Sequence, residues 1–82
     1  MKEAPGEKII LGIDPGTTIT GYGLIKVSGK TPGLITLGII DLRKKEDHYQ
    51  KIRVIFEETL ALIDRYHPDE LAIEAPFYGK NV

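Results

Sequence analysis

The sequence predicts an α/β domain in which three strands form an antiparallel meander, a helix crosses over, and a fourth strand lies parallel to the first. Three observations support this fold class. Three apolar segments suited to strands follow one another through short connections, a longer segment has the periodicity of a helix, and a short apolar segment comes after it. Because parallel neighbours need a connection of about a dozen residues or more, the helical segment is the natural crossover.

The first strand is predicted from Ile9 to Ile13, where an almost continuous apolar run indicates an interior strand covered on both faces. The second strand runs from Ile19 to Val27, after a break at Pro15-Gly16. The third runs from Leu34 to Leu42, after a turn predicted over Ser28–Gly33. The first strand is therefore expected at the centre of the sheet.

The helix is predicted by apolar residues at spacings of three and four, which form one stripe that we expect to pack in the core. The stripe consists of Tyr49, Ile52, Ile55, Phe56, Leu60 and Ile63. Asp47, with Gln50 three residues later, is the predicted N-cap pair. His67-Pro68 ends the helix, because the residue before a proline disfavours helical geometry. The segment Leu71–Glu74 then reads as a short buried strand.

Composition narrows the possible classes of protein. The chain has 82 residues and no cysteine, which allows at most one small domain and excludes a disulfide framework or a thiolate zinc site. A reducing, cytoplasmic setting is the simplest expectation. No apolar run approaches the roughly 20 residues that cross a bilayer. The formal net charge is −1, so this stretch lacks the positive charge typical of a nucleic-acid binder.

Two apolar strands each carry one carboxylate near their end, Asp14 in the first and Glu74 in the fourth. A carboxylate in a buried strand is costly to desolvate, and is tolerated where it is paired, hydrogen-bonded or holding a metal. A right-handed crossover places the fourth strand beside the first, about 4.8 Å away, with matching ends. The sequence therefore predicts that Asp14 and Glu74 share the ions of a two-metal site.

Two stretches, Gly12–Gly23 and Ala72–Phe77, resemble the RuvC family of Holliday-junction resolvases, the crossover junction endodeoxyribonucleases. The resemblance covers most of residues 8 to 82, and its most specific parts are Ile-Asp-Pro-Gly, Gly-Tyr-Gly, and Ile-Glu followed three residues later by Phe. It implies a ribonuclease H-like fold, a homodimer, magnesium with manganese as a substitute, and symmetric nicking of four-way DNA junctions in recombination and repair.

The resemblance also assigns roles to residues. Asp14 and Glu74 match the first two of the family's four catalytic, metal-binding carboxylates. Phe77 matches the aromatic residue that is inserted at the junction, where it can stack on unpaired bases. Tyr78 is expected to assist it, and Lys80 to meet a phosphate. The implied partners are a four-way DNA junction and the branch-migration complex of RuvA and RuvB.

Two parts of the chain are expected. Residues 1–7 are expected to form a flexible tail, and residues 8–82 the N-terminal part of a single ribonuclease H-like nuclease domain, truncated before its C-terminal helices. Because two of the four carboxylates have no counterpart here, we expect the fragment alone to be inactive.

Other interpretations remain open. The loop Asp14–Thr18 also resembles the phosphate loop of actin-like and Hsp70-like ATPases, which would make the chain a nucleotide-binding fragment. Another ribonuclease H-like nuclease, with a different RNA or DNA substrate, is a further alternative. Gly21 and Gly23 are interpreted as allowing close strand packing or a bulge. Phe77 could instead be a core residue.

Overall fold

A computed structural model describes residues 6–74, which form one four-stranded sheet and one helix. In chain order the elements are β1 (Glu7–Asp14), β2 (Ile19–Ser28), β3 (Thr31–Asp41), α1 (His48–Tyr66) and β4 (Glu70–Ile73). The strand order is β3-β2-β1-β4, antiparallel except for the parallel pair β1 and β4. The predicted meander, crossover helix and parallel fourth strand are therefore confirmed.

The hairpin between β2 and β3 is tighter than predicted. Its turn consists of Gly29 and Lys30, because β3 already begins at Thr31, whereas the predicted turn extended to Gly33. Gly29 has a φ of 62°, a left-handed conformation that suits the first position of a two-residue hairpin turn. Pro32 is tolerated inside β3 because this strand lies at the edge of the sheet.

Both ends of α1 are set by local chemistry, as predicted. The Asp47 carboxylate accepts a hydrogen bond of 2.8 Å from the Gln50 N–H at the N-cap. At the other end His67 adopts a left-handed conformation, and its N–H donates to the Ile63 carbonyl at 2.9 Å. No helix in residues 6–74 is long and apolar enough to cross a membrane.

The core lies between α1 and one face of the sheet. Its buried residues are Ile9, Leu11 and Ile13 of β1 and Leu24 of β2, with Tyr22, Leu62, Ile63 and Tyr66 packed against them. The central position of β1 is confirmed. The prediction that both faces of β1 are covered is wrong for residues 6–74. The helix protects one face, and Ile10 on the other face is only partly buried.

The apolar stripe of α1 is only partly core. Of its residues Ile63 packs on the core, whereas Tyr49 (72% exposed), Ile52 (53%), Phe56 (62%) and Leu60 (46%) remain largely exposed. The exposed half of the stripe borders an apolar groove of about 400 Å³, whose other wall includes Leu71 and Ile73 of β4. Two predictions are therefore wrong for the described residues: the whole stripe is not buried, and β4 is exposed along its length. A single helix on four strands has too little surface to cover them.

Candidate metal centre at the ends of β1 and β4

The parallel pairing of β1 with β4 brings the two predicted carboxylates to one edge of the sheet. Ile13 lies opposite Ile73, and the Glu74 N–H donates to the Ile13 carbonyl at 3.0 Å. Asp14 and Glu74 are the next residues along the chain, and both line a cleft of about 450 Å³. The structure thus brings together the pair that the sequence singled out.

Both carboxylates lie on the face of the sheet opposite α1. Side chains alternate along a strand, and Ile13 packs in the core on the helix side, so Asp14 lies on the open side. Ile73 lines the apolar groove on the helix side, which places Glu74 on the open side as well. Both carboxylates are exposed to solvent. The desolvation cost inferred from the sequence therefore does not apply to either of them.

The floor of this cleft is made of small residues. Gly12 of β1, Gly21 and Gly23 of β2, and Ala72 of β4 line it together. A Cβ added at Gly21 would meet nothing within 4 Å, and one added at Gly12 would lie 3.9 Å from the Gly23 carbonyl oxygen, an ordinary van der Waals contact. Close strand packing thus does not require a glycine at position 21. The bulge that is the other interpretation lies between Leu24 and Ile25, one residue beyond Gly23. The sequence does contain a sign of this glycine floor. Gly21 and Gly23 are two residues apart, and that spacing places both on one face of a strand.

The register that aligns the two carboxylates is also held at the opposite end of β4. The Ile9 N–H donates to the Asp69 carboxylate at 2.8 Å, and the Asp69 N–H donates to the Ile9 carbonyl at 2.7 Å. Beside them Lys8 donates to Glu70 at 2.7 Å, and this hydrogen bond raises the pKa of the lysine. Shifting the register by one residue would break these contacts and move Glu74 to the other face.

The loop that follows Asp14 is held by a buried hydroxyl that sequence reasoning did not single out. The Gly16 N–H donates to Thr20 Oγ1 at 3.2 Å, and Thr20 Oγ1 donates in turn to the Gly16 carbonyl at 3.3 Å. Thr20 is completely buried. The backbone two residues after Asp14 is therefore tied to the start of β2.

The donor set suits a hard divalent cation, because carboxylate oxygens are the ligands that Mg²⁺ and Mn²⁺ prefer. Residues 6–74 contain no cluster of three or more potential ligands. Magnesium is commonly bound by one or two carboxylates together with water and substrate phosphate, so Asp14 and Glu74 fit part of such a site. Phe77, Tyr78 and Lys80 lie outside the described residues.

Comparison with known proteins places the chain in a family. A family model described as "Crossover junction endodeoxyribonuclease RuvC" matches residues 10–82. The protein of that name from Bacteroides fragilis is 66% identical over 76 residues, and the one from Christiangramia forsetii is 63% identical over 76 residues. Each alignment covers 93% of this chain and 40% of the relative. The chain thus spans well under half the length of these relatives.

Solved structures show the same fold. T. thermophilus RuvC, in complex with a Holliday junction substrate, matches with a TM-score of 0.73 and 27% identity, over 90% of this chain and 46% of that one. A Ppx/GppA family member from Aquifex aeolicus matches with a TM-score of 0.66 over 82% of this chain and 25% of that one, at 13% identity, which shows the fold alone. The predicted ribonuclease H-like fold is confirmed. With two carboxylates at adjacent strand ends and a family match over residues 10–82, the chain belongs to the RuvC family of crossover junction endodeoxyribonucleases.

Proposed function

We propose that the protein containing this chain is a metal-dependent endonuclease that resolves four-way DNA junctions, and that Asp14 and Glu74 hold part of its metal site. The observation that carries the proposal is the position of these two carboxylates on one open cleft in a chain of the RuvC family. A Holliday junction bound to T. thermophilus RuvC supports the choice of substrate.

The position of the carboxylates links metal binding to DNA binding. Two exposed negative charges beside each other repel a phosphodiester unless a cation lies between them. When bound, a divalent cation supplies Lewis-acid polarisation of the phosphodiester and lowers the pKa of water. Gly12 and Gly21 leave the floor low, which lets a nucleic-acid backbone come close to Asp14 and Glu74.

The finer parts of the proposal come from the resemblance. We propose Mg²⁺ as the cation with Mn²⁺ as a substitute, a homodimer in the cytoplasm, and cooperation with RuvA and RuvB. We further propose that Phe77 stacks on unpaired bases at the junction, with help from Tyr78 and Lys80. Because residues 6–74 supply two carboxylates to the cleft, we expect the 82-residue chain alone to be inactive.

The first test is cleavage by the full-length protein that includes this chain. A labelled four-way junction and a linear duplex of the same sequence are incubated with Mg²⁺ or with a chelator. We expect paired symmetric nicks in the junction, only with Mg²⁺. Equal cutting of both DNAs would indicate a different ribonuclease H-like nuclease. No cutting of either would reject the proposal and make nucleotide binding the next hypothesis.

Asp14→Asn in the full-length protein should lower junction cleavage by roughly a thousandfold or more, because the metal's contribution is worth several kcal/mol and each 1.4 kcal/mol is tenfold. Junction binding, measured by gel shift, should be largely retained. Asp64→Asn is the matched control, since it makes the same change on the exposed surface of α1. Near-normal cleavage by Asp14→Asn would reject the metal assignment.

Phe77→Ala should lower junction turnover about 10- to 100-fold, because stacking on a base is worth roughly 1–3 kcal/mol. Thermal stability should change little. Phe56→Ala, at an aromatic residue that is 62% exposed on α1, is the control and should leave turnover unchanged. A large loss of stability with normal turnover would instead identify Phe77 as a core residue.

A further inference from the structure

We propose that Thr20 is a positioning residue for Asp14. Its hydroxyl fixes the loop that follows Asp14, and through that loop it fixes the direction of the carboxylate. Thr20 acts through the backbone of Gly16, its hydrogen-bond partner. The inference rests on the proposed role of Asp14 as a metal ligand.

One hydroxyl makes both contacts with Gly16. It accepts from the Gly16 N–H at 3.2 Å and donates to the Gly16 carbonyl at 3.3 Å, which a hydroxyl can do at once because it carries one donor and two acceptor lone pairs. Thr20 has no exposed surface, so solvent cannot reach the hydroxyl to replace these bonds. Removing the hydroxyl therefore leaves both bonds unmade and the loop less constrained.

The loop itself is tightly folded. A Cβ at Gly16 would collide with the Ile19 carbonyl oxygen, so the chain turns back closely on itself there. The Thr18 carbonyl accepts from the Leu42 N–H at 2.9 Å, which ties the far side of the loop to the end of β3. The Thr20 hydroxyl ties the near side, two residues from Asp14.

Asp14 depends on its backbone for orientation. Its exposed carboxylate makes no hydrogen bond or ion pair with any residue from 6 to 74. With no side-chain partner there, the direction of its Cα–Cβ bond is set by β1 and by the loop that Thr20 holds. Groups hydrogen-bonded directly to a metal ligand commonly change metal affinity by about 10- to 100-fold when they are removed, and Thr20, which acts one step further away through Gly16, is expected at the lower end of this range.

The hydroxyl is not needed to fill the space around Thr20. This residue lies opposite Ile40 on β3, and both are buried. Valine has the same shape, favours strands, and would avoid burying a polar group. The hydrogen bonds to Gly16 are the feature that threonine supplies and valine does not.

The test compares Thr20→Val with Thr20→Ser in the full-length protein. Binding of Mn²⁺ is measured from the EPR signal of the free ion, and the Mn²⁺ concentration for half-maximal nicking is measured alongside. Thr20→Val should weaken Mn²⁺ binding about tenfold or more. Thr20→Ser, which keeps the hydroxyl, should retain the affinity. Thr20→Ala removes the hydroxyl without adding bulk, and it should weaken Mn²⁺ binding to a similar extent as Thr20→Val.

Two controls separate positioning from stability and from the proposed function. Ile40→Val removes a methylene from the buried cross-strand neighbour and should lower thermal stability without changing Mn²⁺ affinity. Unchanged affinity in Thr20→Val, or an equal loss in Ile40→Val, would overturn the role of Thr20. Wild-type affinity in Asp14→Asn would instead reject Asp14 as a ligand, and with it the proposed metal site.

Discussion

The two faces of the sheet differ in how much space surrounds their glycines. On the face covered by α1, a Cβ at Gly38 would lie 2.5 Å from the Tyr22 hydroxyl oxygen, so the fold itself requires that space. On the open face, a Cβ at Gly21 would meet nothing within 4 Å. Glycine weakens a strand, so one that packing does not require points to a surface kept open for another molecule or segment.

The two faces of the sheet also differ in how deeply their side chains are buried. The α1 face contains Leu11 and Leu24, both with no exposed surface, whereas the open face carries the exposed Asp14 and Glu74. Apolar burial supplies most of the stability of a small domain, and exposed carboxylates supply little. Substitutions on the two faces should therefore separate the free energy of unfolding from activity.

The largest loss of stability is expected from Leu11→Ala on the α1 face. Removing a fully buried leucine side chain costs about 2–5 kcal/mol, a large part of the stability of a small domain. Ile10→Ala is the control, because Ile10 is the neighbouring, partly buried residue on the open side of β1. Denaturant unfolding measures both. Equal losses would show that the two faces contribute equally to the free energy of unfolding.

A smaller loss is expected from Gly38→Ala, about 1–3 kcal/mol, because the new methyl group collides with the ring of Tyr22, which would have to shift from its packing against the core. Combining it with Tyr22→Leu should recover part of this loss relative to the two single variants. The midpoint of urea unfolding for all four proteins completes the cycle. Additive effects would mean that the ring is not the group that requires Gly38.

Gly21→Ala should leave the fold intact or stabilise it by up to about 1 kcal/mol, since alanine restricts the unfolded chain and meets no neighbour. In the full-length protein it should nevertheless reduce junction cleavage, because the methyl group raises the floor beside Asp14. Thermal unfolding and cleavage are measured on the same preparation. Destabilisation comparable with Gly38→Ala would show that the open face is packed after all.

The smallest effect on stability is expected at an exposed ion pair at the end of β3. Arg43 donates side-chain hydrogen bonds of 3.0 and 2.7 Å to Asp41, and also its backbone N–H, which holds the pKa of that carboxyl well below its usual range. A depressed pKa means that the contribution to stability is present at neutral pH. It is lost as the pH falls below the ordinary value for aspartate, about 3.9.

Arg43→Ala should raise the pKa of Asp41 toward its ordinary value, which NMR titration of the carboxyl carbon would detect. Because both side chains are exposed, unfolding at neutral pH should change little. The amide signals of Leu11 and Gly21 serve as controls, one on each face of the sheet. If either moved with the titration of Asp41, the surface pair would be coupled to that face.

Local features of the sequence were reliable guides to this fold. Asp47 and Pro68 predicted the ends of α1 because capping and the restriction before proline act within a few residues. The short connections predicted the meander, and the helix predicted the parallel pairing that aligns Asp14 with Glu74. By contrast, the composition of Ser28–Gly33 predicts too long a turn, because Pro32 is typical of turns but here lies inside an edge strand.

The order of the elements, and the position of Asp14 and Glu74 at the ends of two strands, can be predicted from the sequence alone, because periodicity, connection length and capping are properties of neighbouring residues. Which surfaces are covered becomes visible only in the folded chain. Whether Phe56 is exposed or Gly21 has free space depends on elements distant along the chain, which no local pattern records. The same holds for Thr20, whose hydroxyl meets Gly16 only once the loop has folded back onto β2.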